Sequence, residues 1–160
     1  RAWDDAANPW SSINFVMQRM IEPVAKQYPH VRFGHLNYAN RSSAEMTSVV
    51  VATAQIFGGE GYVAAPTVRE EIDSIYLRRP GRAISDRIEH GSGKAAWRFF
   101  ENGLVVVSAA THEITIENLA RGPLRNHLTG EVFCGDVITI APAPGEPRAS
   151  FFDAVPDCPR

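Results

Sequence analysis

The stretch that decides the fold is residues 97–108, which read WRFFENGLVVVS. Two runs rich in aromatic and β-branched residues flank Asn102-Gly103 in this stretch. This dipeptide is the strongest short signal for a β-hairpin, because a type I′ turn needs positive φ at both central residues. The stretch therefore predicts two antiparallel strands joined by a tight turn centred on Asn102-Gly103.

The period of two continues from this hairpin toward the C-terminus. Apolar and polar residues alternate, and glycine or proline separates the runs, as in a small antiparallel module. Phe151 and Phe152 follow a Pro-rich stretch, and we expect them to pack the tail back onto the sheet. The further strands are predicted at residues 113–119, 132–133 and 137–140, with a turn at Thr129-Gly130.

Upstream of the hairpin, apolar residues recur at three- and four-residue spacing, which is typical of helices. A first helix is predicted to begin at Ser11 or Ser12, each a good N-cap. Pro23 removes a backbone donor from this helix, so we predict a kink or break near Glu22.

The next helix is predicted from the capping-box spacing of Ser42 and Glu45 to Phe57. Its apolar residues cover more than one face, so it should be largely buried. Two short strands and a third helix complete the first half of the chain; they are predicted at residues 31–38, 61–65 and 67–77.

This order of elements predicts an α/β segment followed by antiparallel β. We place the segment at residues 1–82 and the β-module with its tail at residues 83–160, because residues 82–93 are polar and carry two glycines. A chain of 160 residues with 44% hydrophobic and 21% charged residues fits one globular domain, or one domain with a small appendage.

Charge and hydropathy exclude two classes of partner. The 16 basic and 18 acidic residues are interspersed and give a net charge of −2, so there is no basic footprint for nucleic acid. No apolar run approaches the roughly 20 residues that a membrane span needs. The chain begins with Arg1 and carries no signal-like segment, so we expect a mature form after cleavage or a piece of a longer protein.

The two cysteines, Cys134 and Cys158, both lie near the C-terminus. As a disulfide they would close a loop of about 25 residues and stabilise the fold by on the order of 3 kcal/mol. Cys158 lies in a tail with little else to hold it, which favours the bridge over two unrelated buried thiols. A bridge implies an oxidising compartment, so we predict a secreted or periplasmic protein. No CxxC or paired histidines accompany the cysteines, so neither a metal site nor a cofactor is predicted.

No familiar catalytic motif is present: the sequence lacks GxSxG, HExxH, a P-loop and GxGxxG. Functional groups of α/β sheets and barrels gather where strands end, and a sugar site combines aromatic faces with amide or carboxylate groups. The alternative is that the aromatic residues are core or interface residues and the acids are solvated. The candidate substrate-binding residues are Asn37, Tyr38, Glu60 and Tyr62 around the predicted strands, with Trp3 and Asp5 in the opening loop.

Residues 98–107, RFFENGLVVV, resemble the segment R-x-F-x-N-G-L-V-x-V-N that closes many glycoside-hydrolase-like (β/α) barrels. Ser108, which directly follows this segment, stands where an asparagine is common. Residues 124–130, LRNHLTG, resemble a turn that follows the segment in those barrels, with Asn126 where an aspartate is common. Upstream, Asn37-Tyr38 and residues 57–62, FGGEGY, resemble the last βα units of such a barrel. The resemblance implies the C-terminal βα units of a TIM-type barrel with a bracing β-module.

The resemblance also implies a carbohydrate-active protein whose substrate is an oligo- or polysaccharide. Eight strands close such a barrel, so the remaining strands would come from a longer polypeptide or from a partner chain. The family's catalytic carboxylates lie on those earlier strands, and the catalytic residues are therefore unknown. Two other accounts stay open, a non-catalytic structural or interaction protein that assembles with a partner chain, and an independent small α+β domain.

Overall fold

The computed structural model describes residues 17–28, 30–31, 34–37, 44–58, 60–63, 74–75, 77–91, 94–118, 121–143 and 147–159. These residues form mostly antiparallel β-sheet with few helices. In chain order the elements are a π-helical turn (Met17–Ile21), α1 (Glu22–Gln27), β1 (Gly34–Asn37), α2 (Ala44–Ile56), β2 (Glu60–Val63), β3 (Ile88–His90), β4 (Ala95–Phe100), β5 (Gly103–Ser108), β6 (Ile114–Glu117), β7 (Leu124–Asn126), β8 (Val132–Phe133), β9 (Val137–Ile140) and β10 (Arg148–Ala154).

A six-stranded sheet in the order β3-β4-β5-β10-β7-β8 forms the centre of the fold. All of its pairings are antiparallel. The tail strand β10 lies between β5 and β7, with Phe151 opposite Val105 and Phe152 opposite Asn126. The prediction that the two phenylalanines pack the tail onto the sheet is confirmed, and the tail is in addition an internal strand of that sheet.

Both faces of this central sheet are covered. Successive side chains of a strand point to opposite faces, so alternate residues of β4, β5 and β10 enter two different cores. One core packs against α2 and includes Ala96, Phe100, Val105, Val107 and Phe151. The other packs against the two-stranded β6–β9 sheet and includes Trp97, Phe99, Leu104, Val106 and Phe152. This double cover explains why β4 and β5 are buried along nearly their whole length.

Helix α2 is enclosed on all sides, as its apolar residues predict. Every residue from 47 to 54 is buried, because the helix contacts β1 and β2 on one side and β4, β5 and β10 on the other. Strands β1 and β2 run parallel, with Gly34 opposite Glu60 and Asn37 opposite Val63. The three elements therefore form one βαβ unit whose helix also packs against the β-module.

The break predicted near Glu22 is present. The chain changes there from a π-helical turn to α1, with Pro23 in the first positions of α1 where a missing N–H costs nothing. The apolar face of this helix differs from expectation, because α1 has no buried residues and Val24 is exposed. Glu22 instead pairs with Arg87, at 3.2 Å from Oε1 to Nε and 3.2 Å from Oε2 to Nη2.

The hairpin is confirmed, but its turn lies one residue earlier than predicted. Phe100 is opposite Gly103, so Glu101 and Asn102 form the two-residue loop and Gly103 is the first residue of β5. The reason lies in the neighbouring strand, since the ladder of β10 begins at Gly103 opposite Asp153. The prediction also missed β3, which lies in the polar stretch assigned to the boundary.

The prediction of TIM-barrel-type βα units is not supported. The described residues contain one two-stranded parallel sheet, and the other strand pairings described are antiparallel. Neither β1 nor β2 pairs with a further strand among these residues. The division at residue 82 stays a prediction. Among the described helices none is long and apolar enough to cross a membrane.

Candidate functional site

The residues predicted to contact a sugar are only partly described. Trp3, Asp5 and Tyr38 lie outside the described residues. The backbone register places Asn37 at the carboxyl end of β1 and Glu60 at the amino end of β2, so these two positions lie at opposite ends of the parallel sheet. Three residues of strand separate the two ends, which is roughly 10 Å. Of the described candidates, Asn37 and Glu60 therefore do not share a strand end, and Tyr62 lies opposite Leu36 within the sheet.

A different set of polar residues does come together, where the segment before the β-module meets β7 and β10. The Arg78 side chain is only 3% exposed, and its Nε donates to Asp153 Oδ1 at 2.7 Å. Its Nη2 donates to the carbonyl oxygen of Phe152 at 2.6 Å. His127 Nδ1 lies 2.7 Å from the other carboxylate oxygen of Asp153. We call these three residues the junction cluster.

The carboxylate at the centre of the junction cluster is held ionised. Burial by itself would raise the pKa of Asp153, but the hydrogen bond from His127 and the charge and hydrogen bond of Arg78 outweigh it and lower that pKa below its ordinary value. Burial lowers the pKa of Arg78, and the charge of Asp153 partly offsets this. An arginine nonetheless stays protonated, so the pair is ionic.

The lowered pKa of Asp153 predicts a specific acid sensitivity. A depressed folded-state pKa adds stability above the unfolded-state pKa of about 3.9, and this contribution disappears as the pH falls through the folded-state value. We expect the free energy of unfolding of the wild type to exceed that of Asp153→Asn by a constant amount above about pH 5, and the gap to shrink below about pH 4. Denaturant midpoints from pH 7 to pH 3 measure this gap; two parallel curves would contradict the assignment.

Two hairpin residues that carry the family resemblance, Arg98 and Asn102, donate hydrogen bonds to backbone carbonyls upstream of the hairpin. Arg98 Nη1 donates to the carbonyl oxygen of Ile56, at the end of α2, at 3.1 Å, and its Nε donates to Ser85 O at 3.0 Å. A cation at a helix C-terminus satisfies a free carbonyl and opposes the helix dipole. Asn102 Nδ2 donates to Arg79 O at 3.1 Å, and Asn102 N donates to Pro80 O at 2.9 Å.

Gly103 allows Phe152 and Arg78 to approach the start of β5 closely because it has no side chain. Its φ is +153°, and a Cβ atom there would overlap the carbonyl oxygen of Phe152 and lie 3.1 Å from Arg78 Nη2. The space that a side chain would fill is therefore what allows the Arg78 guanidinium to reach β10. Glycine is required here by the approach of two neighbours as well as by the backbone angle.

The chemistry open to the junction cluster is limited. A carboxylate that orients an imidazole is the base-and-orienter half of a nucleophilic triad. However, no serine, threonine or cysteine hydrogen-bonds to His127 within the described part of the chain, and both cysteines are bridged. The same described residues contain no group of three or more His, Cys, Asp or Glu side chains able to hold a metal ion. The cluster is built to hold two parts of the fold together.

Little in the sequence indicates this cluster. Arg78 and Asp153 are 75 positions apart. In the sequence, Arg78 lies next to a predicted turn and Asp153 lies in the tail, and neither position predicts a buried ion pair. The most useful signal was the resemblance at residues 124–130, which includes His127. The predicted bridge is present, with Cys134 and Cys158 bonded at a Cα–Cα distance of 5.8 Å.

Comparisons with known proteins reveal structural similarity but no sequence match. No protein-family model matches the chain, and no curated protein matches it. Among solved structures the chain is similar to an alpha-amylase from Anoxybacillus, whose structure is described as giving insight into a new glycosyl hydrolase subclass. The identity is 12% and the TM-score is 0.48, over 92% of this chain and 43% of that one. The chain thus spans less than half the length of that amylase.

Proposed function

We propose that this chain is the C-terminal portion of a secreted glycoside-hydrolase-like, carbohydrate-active protein. In this proposal the β-module braces an α/β part that binds an oligo- or polysaccharide. The proposal also includes a barrel form for that α/β part. It includes substrate contacts at six residues: Asn37, Tyr38, Glu60, Tyr62, Trp3 and Asp5.

The observation that carries the proposal is the role of the hairpin signature. Three residues of the resembling segment make contacts outside the hairpin. Arg98 contacts α2, Asn102 contacts the segment at Arg79 and Pro80, and Gly103 lies against β10. A bracing module needs such contacts, because it must fix the helix that packs against it. The signature therefore has a physical reason to recur wherever a β-module closes an α/β unit in this way.

The parallel sheet supports the existence of a larger α/β part. Two strands alone are marginally stable, and parallel strands occur almost only in sheets that helices cover on both faces. Helix α2 covers one face of β1 and β2. Neighbouring strands from the rest of a longer polypeptide or from a partner chain would complete the sheet, and the disulfide fits the oxidising compartment of a secreted protein.

The experiment is a binding screen of the intact chain against soluble polysaccharides by affinity electrophoresis, followed by titration calorimetry with the best ligand. The two ends of the parallel sheet give an internal comparison. Binding of a sugar at the carboxyl end should be weakened by Asn37→Ala and Tyr38→Ala by about tenfold or more, or about 1.4 kcal/mol. Binding of a sugar that also reaches the amino end should be weakened by Glu60→Gln as well. Tyr28→Ala, at an exposed tyrosine before β1, serves as the control. No retardation by any polysaccharide, or equal affinity of all variants, would refute the carbohydrate assignment.

The second candidate is a non-catalytic structural protein that assembles with a partner chain. The exposure of Met20, Val24 and Tyr28, which are spaced four residues apart around α1, favours it. Sedimentation equilibrium of the native material separates the two candidates. A stable complex without sugar affinity supports assembly, and a sugar-binding species supports the carbohydrate-active protein.

A further inference from the structure

The disulfide between Cys134 and Cys158 lies at one edge of the central sheet. Strand β8 is the last strand of the order β3-β4-β5-β10-β7-β8, and Cys134 follows it directly. Cys158 lies in the tail that leaves β10. The bridge therefore ties the tail across β7 to the edge strand β8.

Within the described residues, few other contacts hold β8 and the tail. Strand β8 has two residues, paired as Leu124 with Phe133 and Arg125 with Val132. After the ladder of β10 ends, the tail makes a backbone hydrogen bond from Val155 N to Pro123 O at 3.1 Å, and residues 156–159 are all exposed. Phe133, which is half-buried and packs edge-to-face on Phe152 at 5.5 Å, supplies the apolar contact of this edge.

The rest of the sheet is held without the bridge. Strand β7 pairs with β10 at three positions, from Asn126 opposite Phe152 to Leu124 opposite Ala154. His127 is fixed to β10 twice, through its N–H to Phe151 O at 2.7 Å and through its ring to Asp153. Strands β4, β5 and β10 pack in both buried cores. Loss of the bridge would thus remove support from β8 and the tail alone.

We propose that this bridge is a thiol-sensitive closure of the sheet edge, which a reductant opens while β4, β5, β10 and β7 and the junction cluster stay folded. Both cysteines are exposed, so a dithiol in solution can reach them. Its thiolate attacks one sulfur, the S–S bond breaks and a mixed disulfide forms. The second thiol of the reductant then displaces the protein sulfur, so both cysteines end as thiols and the reductant ends as a cyclic disulfide, having given up two electrons.

Opening this edge has a structural consequence. With β8 displaced, β7 becomes the edge strand and presents unpaired N–H and C=O groups, which is the feature that promotes pairing with other chains. The oxidised bridge therefore protects the sheet edge in an oxidising compartment, and reduction exposes it. This inference concerns the β-module alone and is independent of the proposed carbohydrate function.

The test is hydrogen exchange of the intact chain, read by mass spectrometry before and after dithiothreitol, with alkylation to count free thiols. We expect two alkylated cysteines, an increase in exchange of about tenfold or more in β8 and residues 155–159, and less than about twofold change in β4, β5 and β10. Removal of the reductant should restore the original exchange. The variant Cys134→Ser/Cys158→Ser should show the reduced pattern and no response to dithiothreitol.

Four results would overturn the proposal. The bridge could resist dithiothreitol until denaturant unfolds the chain. Exchange could rise throughout β4, β5 and β10 after reduction, or the double serine variant could fail to fold, and either result would make the bridge necessary for the whole module. Unchanged exchange in β8 and the tail after complete reduction would show that other contacts hold the edge.

Discussion

Replacing Gly103 by alanine should destabilise the protein more than replacing any other described glycine by alanine. The new Cβ would overlap the backbone carbonyl oxygen of Phe152, and the φ of +153° disfavours any L side chain. Relief requires β5 and β10 to separate at the start of their ladder, where Gly103 lies opposite Asp153. We expect a loss of about 4 kcal/mol or more in the free energy of unfolding, measured by guanidinium chloride denaturation at pH 7.

Gly122 and Gly130 provide matched controls for this prediction. Both have positive φ, +80° and +76°, but a Cβ at either position would meet nothing within 4 Å. Alanine at these positions should therefore cost only the backbone term, about 1–2 kcal/mol. If Gly103→Ala costs no more than these two variants, the close approach of Phe152 does not constrain position 103.

Replacing Arg78 by methionine should have the second largest effect. The substitution keeps much of the buried side-chain volume but removes the ion pair with Asp153 and the hydrogen bond to Phe152 O. Breaking one side of a buried pair costs about 3–5 kcal/mol, because a charge is left without its partner. Asp153 is 26% exposed and keeps His127, so we expect about 3 kcal/mol in the same denaturation measurement.

Two further variants identify the source of this loss. Arg78→Lys keeps the charge but not the forked donor geometry, so it should lie between the wild type and Arg78→Met. The double variant Arg78→Met/Asp153→Asn removes both charges and should be clearly more stable than the sum of the single losses predicts. Additive losses would mean that the two side chains do not interact, contrary to the 2.7 Å contact.

The sequence predicted the elements whose signals are local. The β4–β5 hairpin, the buried helix α2 and the alternation of β6 were all expected, because turn chemistry and apolar period act within a few residues. The position of β10 was not expected, because its partners at Val105 and Asn126 lie far away in sequence. Two adjacent buried phenylalanines, Phe151 and Phe152, do not alternate, and they fit a strand only once both sheet faces are known to be covered.

The candidate site was less accessible from the sequence. Strand ends decide which residues meet, and a prediction of strand limits is uncertain by several residues. The placement of Asn37 and Glu60 at opposite ends follows from the register of the parallel pair, which the sequence does not give. The junction cluster depends on a contact between residues 75 positions apart. The sequence around Arg78 and around Asp153 has no local pattern that predicts this contact.

The internal position of β10 has a consequence for synthesis on the ribosome. Strands β5 and β7 each pair with β10 and not with each other. Strand β10 comprises residues 148–154, which are synthesised after both of them. Until then the β4–β5 hairpin has one open edge and Phe99, Leu104 and Val106 lack part of their cover. Chains emerge from the ribosome at about 5–20 residues per second. The nascent β-module therefore stays open for the time that residues 109–154 take to emerge, because β5 and β7 both pair with β10. Emergence of residues 148–154 from the exit tunnel, rather than formation of the first hairpin, therefore times the closure of its core.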